Sequence, residues 1–331
     1  MQVLHGTVNV DVLRGKVDDE NEVWGHKGDD KLIGGKLDDV LIGGKGSDYL
    51  WGDRGNDRLI GDTSDDKLYG SIGDDKLYAG EGNDFGSGGK DDDSLFGGKG
   101  DDTLYGNSGN DALSGGSGND DLHGGKGDDV LFGGWGDDKV SGNTGNDFIM
   151  ASKGHDTLIG GEGYDTVDFS RMLGRLDLDL SKHSYSVGSG HPPNSGALWG
   201  FEQVIAGDNG SRMMGDDAHD TAFVGGAGDD WIRGKMGSDT LTGGDGADTF
   251  AYLKKDTKGG GVDVITDFAV GKDHLDMADF LKGHKGYEES VRFSSTEDGN
   301  TLVQGLVGKQ WVDVVVLAGV DVQDGGYSLL A

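Results

Sequence analysis

A nine-residue unit repeats sixteen times in register across residues 25–168, without an insertion or a deletion. Position 6 of the unit is Asp in all sixteen copies, and position 8 is Leu, Val or Ile in every copy but one, where Gly86 stands. Gly occupies position 1 in fourteen copies and position 4 in thirteen. A strict period of this kind indicates a repeat architecture, in which stacked units bury one continuous core.

Each column of the repeat has a physical reason. Gly at positions 1 and 4 permits the positive φ and the close backbone approach of a tight turn. Positions 7–9 are predicted to form a short strand that turns position 8 to one face and positions 7 and 9 to the other. Two units then close one coil, and strands eighteen residues apart stack in parallel at about 4.8 Å. We expect an all-β fold, a parallel β-solenoid with a thin core and a gap in that core at Gly86.

The stacking also places the position 6 aspartates in columns, with Asp30, Asp48 and Asp66 along one edge. Carboxylates about 5 Å apart repel each other unless a cation lies between them. Calcium accepts about six to eight oxygen ligands in flexible geometry, whereas magnesium demands a near-ideal octahedron. Thiolate zinc sites are excluded because the chain has no Cys. The sequence therefore predicts multiple calcium ions, held by position 6 carboxylates and turn carbonyls.

The column pattern resembles the RTX, or hemolysin-type, calcium-binding nonapeptide G-G-x-G-x-D-x-U-x. This resemblance implies a parallel β-roll with calcium in its turns. A second and less regular block spans residues 207–252, and its leading units are expected to bind weakly because Ser211 and His219-Asp220 break the pattern. Turns are also expected to be perturbed where position 4 is Leu37, Ser64 or Asp91.

The predicted calcium ligands are the position 6 aspartates of both blocks. They are Asp30, Asp39, Asp48, Asp57, Asp66, Asp75, Asp84, Asp93, Asp102, Asp111, Asp120, Asp129, Asp138, Asp147, Asp156, Asp165, Asp230, Asp239 and Asp248.

The remaining segments complete a five-part division of the chain. Residues 1–24 are expected to be an N-terminal cap or degenerate repeat, and residues 169–206 a non-repeat insertion. The insertion holds an alternating strand at Leu176–Leu180 and a His191-Pro192-Pro193-Asn194 loop. Residues 253–331 are expected to be a strand-rich cap that is similar to the closing region of serralysin-type and alginate-epimerase-type RTX proteins. The end at Ser328–Ala331 resembles uncleaved type I secretion signals.

Composition and charge limit the kinds of molecule that the chain can bind. The chain has 61 acidic and 29 basic residues and a net charge of −32, which disfavours nucleic acid and anionic membranes. No stretch approaches 18 apolar residues, so no membrane span is expected. Met1–Gly15 lacks the basic and apolar pattern of a cleavable signal peptide. The resemblance implies a secreted, extracellular protein whose partners are calcium and a type I secretion apparatus, with an extracellular polysaccharide or a host surface as a further candidate.

Catalysis is left open, but the sequence favours a non-catalytic protein in adhesion, matrix or host interaction. It contains neither the H-E-x-x-H of metalloproteases nor the G-x-S-x-G of lipases. The alternative is a polysaccharide-active enzyme, or the carbohydrate-binding calcium module of one, and an acid-lined cleft around residues 169–206 would favour it.

Position 9 of the repeats forms two outward ladders, which serve either strand stacking or a binding face for a saccharide or a second roll. The members are Ile33, Trp51, Tyr69, Ser87, Tyr105 and His123 on one sheet, and Ile42, Ile60, Tyr78, Phe96, Ser114 and Phe132 on the other.

Overall fold

The computed structural model describes residues 1–188, 194–259 and 261–321, so part of the predicted loop at His191–Pro193 and the C-terminal Ser328–Ala331 lie outside the described residues. The chain divides into two compact units, Met1–Thr166 and Val167–Ala331. The fold is all-β, as predicted, and both units are built from stacked parallel strands. Among the described residues, no helix is long and apolar enough to cross a membrane.

The first unit contains eighteen strands within its bounds. They are β1 (Gln2–His5), β2 (Val12–Arg14), β3 (Asn21–Lys27), β4 (Lys31–Gly35), β5 (Val40–Lys45), β6 (Tyr49–Arg54), β7 (Arg58–Thr63), β8 (Lys67–Ile72), β9 (Lys76–Glu81), β10 (Phe85–Lys90), β11 (Ser94–Lys99), β12 (Thr103–Ser108), β13 (Ala112–Ser117), β14 (Asp121–Lys126), β15 (Val130–Trp135), β16 (Lys139–Thr144), β17 (Phe148–Met150) and β18 (His155–Glu162). Odd-numbered strands form one parallel sheet and even-numbered strands the other.

The strands are longer than the sequence predicted. The strand β8, for example, covers positions 7–9 of one unit and positions 1–3 of the next, and it pairs with β10 eighteen residues on. Ser71, at position 2, has a φ of 96°, so the chain bends inside the strand and then pairs again. The position 1 glycines therefore belong to the strands, because a local bend need not end the pairing of a stacked coil, whereas position 4 glycines such as Gly73 lie in the turns, as predicted.

The predicted column of position 8 side chains is the core of the first unit. Leu32, Leu50 and Leu68 are fully buried on one sheet, and so are Leu41 and Leu59 on the other. The gap expected at Gly86 is closed by its neighbours. A Cβ atom added at Gly86 would lie 2.9 Å from Leu104 Cδ2 and 3.5 Å from Leu95 Cδ2. The leucines therefore lean into the space that the missing side chain leaves.

Aromatic rings in the outward ladders stack on each other. The rings of Tyr78 and Phe96 have centroids 5.1 Å apart at an interplanar angle of 8°. The rings of Tyr105 and His123 are 4.7 Å apart at 4°. Such stacked pairs are the contacts expected between aromatic side chains on neighbouring strands.

The strand β19 (Thr166–Asp168) begins at the last residue of the first unit. The strands that follow are β20 (Leu176–Asp179), β21 (Ser184–Val187), β22 (Asn194–Trp199), β23 (Gln203–Ile205), β24 (Arg212–Met214), β25 (Ala222–Gly226), β26 (Trp231–Arg233), β27 (Thr240–Gly244), β28 (Thr249–Ala251), β29 (Asp263–Ile265), β30 (His274–Asp276), β31 (Val291–Ser295), β32 (Thr301–Val307) and β33 (Gln310–Leu317). One short helix, α1 (Ala278–Leu281), and three 3-10 helices, at Leu180–Lys182, Asp256–Gly259 and Tyr287–Glu289, are present among the described residues.

The second unit combines parallel coils with antiparallel additions. The alternating segment that was predicted to be a strand is β20, which pairs antiparallel with β21 and parallel with β24. The series β24–β26–β28–β30 is parallel, and so is β23–β25–β27–β29. The strands β31, β32 and β33 form an antiparallel meander. This unit buries larger side chains than the repeats do, including Phe169, Phe223, Phe250 and Phe280.

Candidate metal centre

The position 6 aspartates form the two columns that the spacing predicted. Within a column, a carboxylate accepts a hydrogen bond through Oδ1 from the backbone N–H of the residue one coil earlier, which is the aspartate eighteen residues before it except at the start of each block. The N–H of Asp84 donates to Asp102 Oδ1 at 2.8 Å, and the N–H of Asp102 donates to Asp120 Oδ1 at 2.9 Å. The carboxylates are thus fixed in orientation by the backbone of the neighbouring coil.

The second oxygen of these carboxylates has no such donor. Oδ2 is buried and accepts no hydrogen bond in most of the predicted ligands, although a buried carboxylate oxygen ordinarily has a partner. The aspartates with this orphaned oxygen are Asp30, Asp39, Asp48, Asp57, Asp66, Asp75, Asp84, Asp93, Asp102, Asp111, Asp120, Asp129, Asp138, Asp147, Asp230, Asp239 and Asp248.

Position 1 explains where these oxygens point. A Cβ atom added at Gly25 would lie 2.5 Å from Asp30 Oδ2 and 2.7 Å from the carbonyl oxygen of Gly43, one coil further on. A carboxylate oxygen and a backbone carbonyl therefore border the same small space beside Gly25. Gly25 is not in the left-handed region, so it is favoured for space rather than for its φ, and the small residues Ala79 and Ala151 take the same position in two other units.

Burial makes the uncompensated carboxylates hard to ionise. Desolvation raises the pKa of Asp57, Asp66 and Asp93 to about 8, with smaller contributions from neighbouring aspartates. Desolvation likewise raises the pKa of Asp102 and Asp129 to about 7. A bound cation would reverse this preference, because opposite charge close to a carboxylate favours its ionised form.

The donor set fits calcium. Within the described residues, no three His, Cys, Asp or Glu side chains gather into one cluster. Any ion in the turns would therefore take much of its coordination from backbone carbonyls. Carboxylate and carbonyl oxygens in flexible geometry are the ligands that calcium uses in proteins.

Asp156 differs from the aspartates with an orphaned oxygen in having a donor to its Oδ2. Asp156 is fully buried, but its Oδ2 accepts a hydrogen bond from Ser152 Oγ at 3.2 Å. Asp165 lies at the last position of its column, where its Oδ1 accepts the N–H of Asp147 at 2.8 Å. The column that contains both Asp147 and Asp165 thus continues to the end of the first block.

The turns that were expected to be perturbed are mostly intact. Ser64 and Asp91 adopt the left-handed φ of the glycines they replace, at 82° and 75°. Asp visits that region occasionally, because its short polar side chain can hydrogen-bond locally. Leu37 alone among the three has no positive φ, because a bulky side chain is strongly disfavoured there. The backbone at Ser64 and Asp91 thus keeps the conformation of the glycines, and the backbone at Leu37 does not.

The columns continue beyond the residues that the sequence indicated. Asp11 and Asn21 precede them, donating their N–H groups to Asp30 Oδ1 and Asp39 Oδ1. Asp263 and Asp273 follow them, accepting the N–H groups of Asp239 and Asp248 at 3.0 and 3.1 Å. Spacings of 24 and 25 residues hid the last two from a search for a strict period.

The end residues close the columns with protein donors. Asp11 Oδ2 accepts the N–H and the hydroxyl of Thr7, and Asp273 Oδ2 accepts the N–H of Ala269 at 2.7 Å. In the leading units of the second block, Ser211 and Thr221 stand in the columns and donate their N–H groups to Asp230 and Asp239. A hydroxyl replaces the carboxylate at these two places.

The repeat family is shown by sequence. The family model for the RTX calcium-binding nonapeptide repeat, which spans four copies, matches residues 24–59, 51–86, 87–122, 114–149, 132–167 and 213–251, more than half of the chain. The chain belongs to the RTX calcium-binding repeat family. This RTX chain is a calcium-binding β-roll protein. The resemblance of its C-terminal region to serralysins and alginate epimerases is not confirmed by the comparisons.

Solved structures with a similar fold are distant. A hyperactive, Ca2+-dependent, β-helical antifreeze protein from an Antarctic bacterium is 17% identical, with a TM-score of 0.39, over 82% of this chain and 86% of that one. The extracellular lipase LipA from Serratia marcescens is 14% identical, with a TM-score of 0.27, over 70% of this chain and 44% of the lipase. A search of curated proteins finds no match to the RTX chain.

Proposed function

We propose that this RTX protein is secreted, folds when it binds calcium outside the cell, and acts in adhesion, matrix or host interaction without catalysis of its own. The observation that carries the proposal is the pair of columns of buried aspartates whose Oδ2 atoms accept no hydrogen bond. Such oxygens are costly in a folded protein unless a ligand satisfies them.

We assign the calcium sites to the position 6 aspartates named above, each carboxylate serving together with glycine carbonyls of the adjacent coil. In this assignment the roll of residues 25–168 is the main calcium-binding domain and residues 207–252 form a second, weaker one. Residues 1–24 and 253–331 act as the end caps, and residues 169–206 as the insertion between the rolls.

Calcium binding to the folded state alone would supply the free energy for folding. Extracellular calcium modules bind at about 10⁻⁴–10⁻³ M. Free calcium at ten times the Kd stabilises the folded state by about 1.4 kcal/mol per site. A dozen such sites contribute on the order of 15–20 kcal/mol, which is comparable to the whole net stability of a domain. At the low free calcium of the cytosol the chain would stay unfolded, which suits export.

Export by a type I apparatus is proposed from the RTX repeats together with the C-terminal sequence at Ser328–Ala331. A non-catalytic role is proposed because the sequence carries neither the metalloprotease nor the lipase motif. The comparisons give no support to the alternative of a polysaccharide-active enzyme.

Equilibrium dialysis of the full chain at pH 7.5 tests the calcium assignment. We expect on the order of a dozen bound calcium ions per chain at millimolar calcium, and little binding at the same concentration of magnesium. Binding of one or two ions per chain, or equal binding of magnesium, would contradict it.

Secretion is tested separately, by expressing the chain with and without residues 322–331 beside a type I exporter. Equal amounts of the two forms in the medium would contradict the export proposal.

A further inference from the structure

One turn of the second unit departs from the repeat. The strand pairs Gln203 with Ala222 and Arg212 with Trp231 are nineteen residues apart, whereas Ala222 and Thr240 are eighteen apart. The turn between β24 and β25 therefore holds one extra residue. The position 6 place of this turn is Thr221 instead of Asp, so the turn has lost a carboxylate that the calcium columns would use.

The longer turn is closed by an aspartate and a histidine. Asp216 Oδ1 accepts the N–H groups of Ala218 and His219 at 2.7 and 2.9 Å. Asp216 Oδ2 lies 2.8 Å from His219 Nδ1. The pair holds both side chains at the edge of the turn, where His219 remains exposed.

This turn forms one wall of a cleft of about 60 Å³ within the second unit. Trp199 also lines the cleft; it is 40% exposed, and its ring stacks at 5.6 Å on His183. Glu202 lines the cleft beside them, and the fully buried Leu198 forms part of its floor. The volume accommodates several water molecules, or a few hydroxyl-bearing atoms of a ligand.

The charges of the cleft exclude strongly charged ligands. The hydrogen bond from His219 lowers the pKa of Asp216, although burial opposes this, and the same bond raises the pKa of His219. Both shifts favour the ionised pair of Asp216 and His219. An anion would meet Glu202 and the net charge of −32. A cation would find the Asp216 carboxylate already held by two backbone N–H groups and His219 Nδ1.

A neutral ligand with many hydroxyls fits a cleft that disfavours both anions and cations. Sugars present an apolar C–H face, which packs on an exposed indole, and hydroxyls that both donate and accept hydrogen bonds. The cleft offers an indole, carboxylate acceptors and imidazole groups in one concave surface, which is the usual composition of a small-molecule site.

We infer that this cleft binds one sugar residue of a glycan, with Trp199 against its C–H face and Glu202, Asp216 and His183 toward its hydroxyls. The inference rests on the proposed function, since it names the partner of an adhesion or matrix protein. The cleft of about 60 Å³ holds only part of that residue, so binding of an isolated sugar is weak and binding of a multivalent surface is stronger.

The test is a printed glycan array probed with the calcium-loaded full chain. Trp199→Ala is expected to weaken retention by about tenfold or more, because the indole is the principal apolar contact. Glu202→Gln is expected to weaken it less. Trp135→Ala is the matched control, because Trp135 is 66% exposed and lies in the repeats, outside the cleft.

Circular dichroism of the same samples separates the two proposals. Retention that Trp199→Ala leaves unchanged, or a folded chain that no glycan retains, would overturn the cleft assignment alone. A strand signal that does not depend on calcium would contradict the proposed function, and the array would still decide the cleft.

Discussion

At the scale of one residue, the two oxygens of a position 6 aspartate have different tasks. Oδ1 of Asp102 accepts the N–H of Asp84, while its Oδ2 is buried without a donor. Asp11 and Asp273 stand in the same columns, but protein donors satisfy their Oδ2 atoms. The difference separates proposed ligands from caps, and the sequence could not show it, because both are aspartates with similar neighbours.

Replacing one ligand tests this division of tasks. If the Asp102 carboxylate binds one calcium ion at each adjacent level, as the proposed assignment allows, Asp102→Asn is expected to lower the stability in calcium by about 3 kcal/mol. In a chelator the same substitution is expected to be neutral or stabilising, since it removes a buried charge. Thermal unfolding with and without calcium measures both effects. Asp101→Asn is the control, because Asp101 is exposed and needs only its Oδ1 acceptor. Equal losses for the two variants would contradict the assignment.

The glycine at position 1 is a second test at this scale. A methyl group at Gly70 would overlap Asp75 Oδ2, so Gly70→Ala is expected to displace the carboxylate and destabilise the calcium form by more than about 1 kcal/mol. Gly286→Ala is the matched control, because Gly286 has an extended φ and nothing within 4 Å of an added Cβ. Calcium-dependent unfolding of both variants is the measurement. Unchanged calcium-dependent stability of Gly70→Ala would contradict the expected displacement of Asp75 and would make Gly70 equivalent to Ala79, which stands at position 1 beside Asp84.

At the scale of the structural element, position 5 forms a second hydrogen-bonded row that runs the opposite way. The N–H of Asn119 donates to Asp101 Oδ1 at 2.7 Å, and the N–H of Asp137 donates to Asn119 Oδ1 at 2.8 Å. Asp and a residue other than Asp or Glu alternate along this row from Asp29 to His155, whereas in the corresponding row of the other edge Asp74 and Asp92 are consecutive. Alternation keeps like charges two coils apart on an edge that already carries the position 6 column.

A change of charge tests the role of this alternation. Asn119→Asp keeps both hydrogen bonds of the row but places three carboxylates in succession. We expect a loss of stability below about 1 kcal/mol that shrinks as salt is raised, because the row is exposed. Ser117→Asp adds the same charge beside its strand neighbour Lys99 and is the control. A loss for Asn119→Asp that does not depend on salt would contradict an electrostatic role.

Element boundaries were harder to predict than element order. The alternation of turn and strand, the parallel pairing and the buried Leu column all follow from the repeat. The length of the six-residue strands does not follow from the repeat. A glycine at position 1 can end a strand, or it can lie inside a strand and leave space for a side chain, as Gly70 does for Asp75. The sequence alone does not distinguish the two. The ends of the columns were not predicted either. Asp263 and Asp273 lie 24 and 25 residues after their partners, so only the folded structure shows that they belong to the columns.

At the scale of the whole molecule, acidity and stability are linked through the columns. Desolvation raises the pKa of Asp57, Asp66 and Asp93 to about 8 in the folded, metal-free chain, from a usual value of 3.8. The folded state therefore binds these protons more tightly than the unfolded state does. The contribution to stability is full below about pH 4 and is lost as the pH rises through the folded pKa values.

Protonation of the column carboxylates should therefore stabilise the fold in part when calcium is absent. In calcium-free buffer the chain is expected to hold more strand structure at pH 5.5 than at pH 8, by far-UV circular dichroism. Calcium affinity is expected to show the opposite pH dependence, because protons compete with calcium for the same carboxylates. The calcium concentration at the midpoint of folding is therefore higher at pH 5.5 than at pH 8. Equal or greater strand content at pH 8 without calcium would contradict the burial of uncompensated carboxylates.

The most direct test of the account is a calcium titration of the full chain from a chelated start at pH 8, followed by far-UV circular dichroism. Ionised carboxylates in both columns should then oppose folding until the metal compensates them. The account predicts an unfolded spectrum in the chelator and a cooperative change to strand at millimolar calcium. A strand spectrum that is already complete in the chelator, and that calcium leaves unchanged, would contradict it.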